Sequence, residues 1–165
     1  MTKDLFQAAH SNDTAKISEL LDKNPSLANK ESEDGLTPLG FAAHYGNKDA
    51  VQILLECGAE VNAVSHSKIE FIPSNTALHA AIAGERSLEV IKLLLQYNAE
   101  PNIFDSNGHT ALHTAAFHED NTEIINLLIE HGAKVNMSVE GGSTPLDLAI
   151  EQGNDKVADL LRQIN

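Results

Sequence analysis

Tryptophan is absent from this 165-residue chain, and only two tyrosines and five phenylalanines supply aromatic rings. A core with so few rings has to be filled by Leu, Ile, Val and Ala, the side chains that close-packed helices use. Cysteine occurs once, at Cys57, so no intrachain disulfide can form, which favours a reducing compartment. Basic residues are scarce: 11 against 24 acidic ones, for a net charge of −13. Such a surface repels phosphate backbones and anionic lipid, which argues against nucleic-acid and membrane partners, and it attracts a basic protein surface. No apolar run approaches the roughly 18 residues that a membrane helix needs. The N-terminus, Met1-Thr2-Lys3-Asp4-Leu5-Phe6-Gln7, has no apolar stretch behind a basic start and does not read as a secretory signal. A cytoplasmic protein is expected.

Catalytic signatures are missing too. The sequence has no Gly-x-Ser-x-Gly elbow, no phosphate loop with Lys-Ser/Thr and no His-Glu-x-x-His. Gly141-Gly142-Ser143-Thr144 could cradle a phosphate, but a tight turn before a helix needs the same glycines. Cys57 adjoins Glu56 and Gly58 near Glu60, an acidic setting that opposes a thiolate. The eight histidines include His109, His113 and His118, yet no compact His/Cys/carboxylate set stands at ligand spacing. No enzyme activity, no cofactor and no metal are expected.

What the chain does have is repetition. Gly35-Leu36-Thr37-Pro38-Leu39 returns as Ser74-Asn75-Thr76-Ala77-Leu78, as Gly108-His109-Thr110-Ala111-Leu112 and as Gly142-Ser143-Thr144-Pro145-Leu146. The threonines are 39, 34 and 34 residues apart, a period that belongs to helical repeat arrays. Thr before Pro is a strong helix start, because the hydroxyl caps and Pro suits the first turn. Leu39, Ala42 and Ala43 then share a helix face, as do Val51, Leu54 and Leu55 in the next helix. Gly58 and Gly132 stand where a helix ends in the left-handed conformation, and Asn98 is the usual substitute.

The full pattern resembles the ankyrin-repeat family. Thr37-Pro38-Leu39, Ala42-Ala43, Gly46, Ile53-Leu54-Leu55 and Gly58-Ala59-Glu60-Val61-Asn62 carry the likeness in one repeat. Leu78-His79, Leu93-Leu94-Leu95 and Asn98-Ala99 carry it in the next; Leu112-His113, Ala115-Ala116 and Gly132-Ala133-Lys134-Val135-Asn136 follow. The last repeat keeps Thr144-Pro145-Leu146, Ala149, Gly153 and Leu160-Leu161, and Leu5 to Asn29 form a degenerate first one. The resemblance implies an all-α repeat solenoid: about five stacked helix–turn–helix units joined by β-hairpin loops, with the terminal units as caps. The whole chain, 1–165, is expected to be a single domain, with units near 1–33, 34–72, 73–105, 106–139 and 140–165. Leu112 and Leu146 are expected in the core, as are Phe6 and Phe41.

Three departures from the family pattern stand out. Val61 to Thr76 spans 15 residues where Val135 to Thr144 spans 9. The extra residues lie within 64–73, and Phe71 or Ile72 is expected either to fold back on the array or to bind. The turn between helices is one residue longer in the third and fourth repeats, at 83–87 and 117–121. The bracing histidine after Thr-x-Leu is replaced by Gly40 and by Asp147, which is expected to weaken the turn there.

The resemblance also implies where a partner sits: on the concave face, at hairpin tips and at the ends of the inner helices. In the first half this selects Glu33, Leu36, His44, Tyr45 and Asn75, with Phe71 and Ile72 from the long loop. In the second half it selects Phe104, Ser106, His109, Phe117, His118, Glu140, Ser143 and Glu151. Aromatics at such positions are typical anchors, and Tyr45, Phe104 and Phe117 are expected along one strip flanked by carboxylates such as Glu85, Glu119 and Asp120. The implied function is a non-catalytic protein–protein interaction module, an inhibitor or adaptor for a basic partner, monomeric when free. The alternative is a ligand-binding or regulatory subunit of an enzyme, or a structural spacer.

Overall fold

The computed structural model describes residues 1–164; the last expected unit ends on Asn165, outside the described residues. It consists of two compact units, 1–99 and 100–165. The first holds α1 (Thr2–His10), α2 (Thr14–Lys23), a 3-10 turn (Pro25–Asn29), α3 (Pro38–His44), α4 (Lys48–Glu56), α5 (Ala77–Ala83) and α6 (Leu88–Gln96). The second holds α7 (Ala111–His118), α8 (Thr122–Glu130), α9 (Pro145–Gln152) and α10 (Asp155–Ile164). In each unit the helices form antiparallel hairpins that stack side by side: α1, α3 and α5 pack in sequence in the first, α7 on α9 in the second. This is the local arrangement of an all-α repeat solenoid.

The helix starts follow from the repeated threonine. Thr37 Oγ1 accepts the Gly40 N–H at 3.0 Å. At Thr76 and Thr110 the bracing histidine returns the favour: the Thr110 N–H donates to His113 Nδ1 at 3.0 Å. The other ring nitrogen of His113 then donates to the Ser143 carbonyl at 2.8 Å and ties the next turn down. At Thr144 the helix cap itself is kept without the histidine. Asp147 rebuilds the cap by accepting the Thr144 N–H at 2.8 Å, although its shorter side chain caps only its own turn. That backbone bond, and the Thr144 hydroxyl after it, hold the Asp147 carboxyl below its ordinary value. A depressed folded-state pKa means the cap contributes above the unfolded pKa and is lost as pH falls through the folded one. An NMR titration is expected to find Asp147 titrating lower than a free aspartate, with the Thr144 amide signal moving in step.

Helix ends behave as the sequence implies. Gly58, Gly132 and Asn98 all have positive φ, at 94°, 93° and 65°. Two asparagines that follow a hairpin's second helix, Asn102 and Asn29, have a role the sequence pattern did not disclose. Asn102 donates to the Gly132 carbonyl at 2.9 Å and accepts the Lys134 N–H at 2.8 Å. Asn29 makes the same pair with Gly58 and Glu60. Each carboxamide therefore satisfies the exposed end of the following hairpin's outer helix, linking consecutive repeats. Asn102→Ala is expected to lose about 1–2 kcal/mol, the value of two partly exposed bonds, as read by urea unfolding.

Several expectations need correction. The described residues contain no strand: the connecting loops turn with one narrow pair of bonds, as in Ser32 N–H to the Leu36 carbonyl and Gly35 N–H to the Ser32 carbonyl, both 2.9 Å, too short a ladder to extend. Leu112 is fully buried, but Leu146 at the equivalent position is only half-buried, since no further helix of the described residues covers α9 on that side. Phe6 and Phe41 are half-buried rather than core. Their rings meet each other at the surface.

No helix among the described residues is long and apolar enough to cross a membrane.

Candidate protein-binding faces

In the first unit, the first helices of successive hairpins bring five rings together. Phe6 and His10 stand four residues apart on α1, and Phe41 and Tyr45 four apart at α3, so each pair shares a helix face. Phe6 meets Phe41 at 5.2 Å between centroids, Phe41 meets Tyr45 at 5.1 Å, and His10 packs edge-on to Tyr45 at 4.5 Å. His44 adds a ring contact to Tyr45 at 5.1 Å. Only Tyr45 and His44 were selected from the sequence. The i,i+4 spacing of Phe6/His10 and Phe41/Tyr45 was the available signal, masked because Phe6 and Phe41 read as core residues of their helices.

Beside these rings lies an open groove of about 520 Å³, lined by Phe6 and Phe41, by Leu36, and by the polar stretch from Lys30 to Asp34. Leu36 is half-buried in it and Glu33 is exposed at its rim, 4.0 Å from the Lys3 ammonium. Asn75 is half-buried, its N–H donating to Ser65 Oγ at 3.0 Å and its carbonyl accepting the Ser65 N–H at 2.9 Å. These bonds close the stem of the long loop. The loop folds back through its backbone: His66 N–H donates to the Gly35 carbonyl at 3.0 Å and Lys68 N–H to the Asp34 carbonyl at 2.9 Å. Its His66 ring also meets Glu31 at 2.7 Å. Ile72 is half-buried, whereas Phe71 is 86% exposed.

In the second unit, Phe117 is 42% exposed at the end of α7, with His118 exposed next to it and their rings 5.2 Å apart. Glu151 is exposed near the end of α9, the helix packed on α7. Ile150, which the sequence did not single out, is 51% exposed although Ala116 at the matching place in α7 is fully buried. Phe104 is half-buried, Ser106 and Glu140 are exposed at hairpin tips, and Ser143 is half-buried. The half-buried His109 ring stacks on His113 at 5.3 Å. His113 is committed to its helix cap, and no group of three or more metal-ligating side chains gathers among the described residues. Tyr45 thus belongs to the first unit, and Phe104 and Phe117 to the second. Cys57 is half-buried; desolvation, then the Asp22 and Glu56 carboxylates, push its thiol up, away from a reactive thiolate.

Residues 5–105 and 78–165 both match the family profile described as ankyrin repeats in three copies. The chain belongs to the ankyrin-repeat family. Among its relatives, the serine/threonine-protein kinase VIK of Arabidopsis thaliana is 41% identical over 86 residues, 52% of this chain and 18% of that protein. Mouse Rabankyrin-5 is 39% identical over 80 residues, 48% of this chain and 6% of its own length. The horse ankyrin repeat, SAM and basic leucine zipper domain-containing protein 1 is 35% identical over 97 residues, 59% of this chain and 20% of that one. The ankyrin-repeat chain therefore matches a fifth or less of each of these larger proteins. Ankyrin repeats are protein–protein interaction modules, and that general role applies to this chain.

Proposed function

We propose that this ankyrin-repeat chain is a non-catalytic, cytoplasmic module, monomeric when free, that holds a basic partner protein on the exposed ends of its first-of-hairpin helices. It acts as an inhibitor or adaptor. The observation that carries this reading is the exposure of large apolar side chains at just these helix ends: Tyr45 at 39%, Phe117 at 42% and Ile150 at 51%. Exposed aromatics set among carboxylates suit an interface with an apolar centre and a charged rim. The second unit supports the charge of the partner, with three basic and eleven acidic side chains in residues 100–165. Glu33, Glu140 and Glu151 place carboxylates at the hairpin tips and helix ends of both units.

Two mutant phenotypes are expected to separate. Phe117→Ala or Tyr45→Ala mainly speeds dissociation, with a loss of ~1–3 kcal/mol for an anchor. Neutralising Glu119 and Asp120 together mainly slows association, and the effect shrinks in high salt as screening shortens the reach of charge. Asp120 also accepts the Val157 N–H at 2.9 Å, so Asp120→Asn is the substitution to use. Binding kinetics against the partner isolated from the native host, at two ionic strengths, measure both. Unchanged rates in both mutant sets would place the partner elsewhere.

A further inference from the structure

The groove of the first unit combines features that a generic apolar anchor would not need. Two phenylalanine rings line it, half-buried and 5.2 Å apart. Three carboxylates, Glu31, Glu33 and Asp34, come from the adjoining hairpin, against two lysines, Lys3 and Lys30. Glu31 is already engaged by His66 at 2.7 Å. Glu33 is held by Lys3 only at 4.0 Å, with both side chains 88% exposed. Such a solvated pair contributes little and exchanges readily. Asp34 is exposed, and its backbone rather than its side chain is tied to the loop.

We infer that this groove takes an arginine side chain of the partner, its guanidinium stacked on one ring of the edge-to-face Phe6–Phe41 pair and met by the carboxylates of Glu33 and Asp34. The inference rests on the interaction-module reading and specifies what one part of that surface recognises. An aliphatic side chain would use the rings but strip water from carboxylates with nothing in return. An acidic side chain would be repelled. A lysine ammonium is compact and strongly hydrated, so it would meet the carboxylates without stacking. The guanidinium is planar, weakly hydrated and always charged; it stacks on a ring face and donates in parallel to carboxylate oxygens. On binding it displaces Lys3 from Glu33, exchanging one exposed ion pair for another that is partly shielded by the rings.

The test is an NMR titration of the full chain, labelled with 13C and 15N, with three Gly/Ser-flanked nonapeptides whose central residue is arginine, lysine or citrulline. The arginine peptide is expected to move the Phe6 and Phe41 ring signals saturably. The citrulline peptide, which keeps the shape and loses the charge, is expected to bind about tenfold more weakly, and the lysine peptide at least about threefold more weakly. Asp34→Asn alters an exposed carboxylate and is expected to reduce arginine-peptide affinity about threefold. Phe41→Leu keeps apolar volume while removing the ring face, so it is expected to fold and to bind weakly. Equal affinity for all three peptides, or no effect of either variant, overturns the inference. In parallel the full chain is used to select binders from a random peptide library. Selected peptides that depend on arginine and shift the same ring signals support the inference. Binders that need no arginine and map to Phe117 and Ile150 overturn it and leave the module reading standing. A chain that yields no binder and ignores the arginine peptide loses both.

Discussion

Leu112→Ala is expected to destabilise the 100–165 unit by ~2–5 kcal/mol, the range for deleting a fully buried leucine side chain. Leu112 is 0% exposed on α7, which packs against both α8 and α9. Removing three carbons there leaves a cavity that the flanking helices can close only by abandoning their hairpin geometry. The informative control is Leu146→Ala. It makes the same chemical change at the same place in the repeat, but Leu146 is only half-buried. Its loss is expected to be under about 2 kcal/mol, because less apolar area returns to water. Urea unfolding followed by circular dichroism measures both. Repeats couple to their neighbours rather than to a single shared core, so Leu112→Ala is also expected to broaden the transition. Equal losses for the two variants would mean that burial in this repeat does not follow the register described above.

Gly35→Ala is expected to be nearly as costly, for a different reason. Gly35 has φ of +77°, and a Cβ there would lie 1.9 Å from the His66 backbone oxygen. The left-handed backbone costs a non-glycine residue about 1–2 kcal/mol, and the forced overlap about 1–3 more, for a total of about 2–5 kcal/mol. The obstacle is backbone, not a flexible side-chain end, so relief requires the long loop to move. The His66 N–H bond to the Gly35 carbonyl would go with it. Hydrogen exchange is expected to show faster exchange at His66 and Lys68, with protection in α3 retained. Unchanged protection at those two amides would show that the loop is fastened elsewhere.

The two variants mark different degrees of legibility in the sequence. Leu112 could be placed in the core from the repeat alone, because helical periodicity fixes which face is apolar. The same logic failed at Leu146, where burial depends on whether another helix lies over that face. The clasp at Gly35 could not be read, since it joins residues about thirty positions apart through backbone groups that every residue possesses. Asp147 was legible as a departure from the bracing histidine but not as a replacement cap, which depends on where its carboxylate points. Of the candidate binding residues, Tyr45, Phe117 and Phe71 are exposed, while Phe104 and Ile72 are half-buried.

By itself the sequence determined the family, the all-α class, the helix starts at the repeated threonines and the helix ends at Gly58, Asn98 and Gly132. These are local matters, set by side-chain capping, backbone φ preferences and the spacing of apolar residues along one helix. Tertiary structure alone decided that Phe6, His10, Phe41 and Tyr45 form one surface cluster, that Asn29 and Asn102 link successive repeats, and that Ile150 is left in solvent. Each of these depends on which neighbouring hairpin comes to lie against a given side chain. A residue's own repeat carries its propensity, but its burial and its partners are set by the repeat stacked beside it.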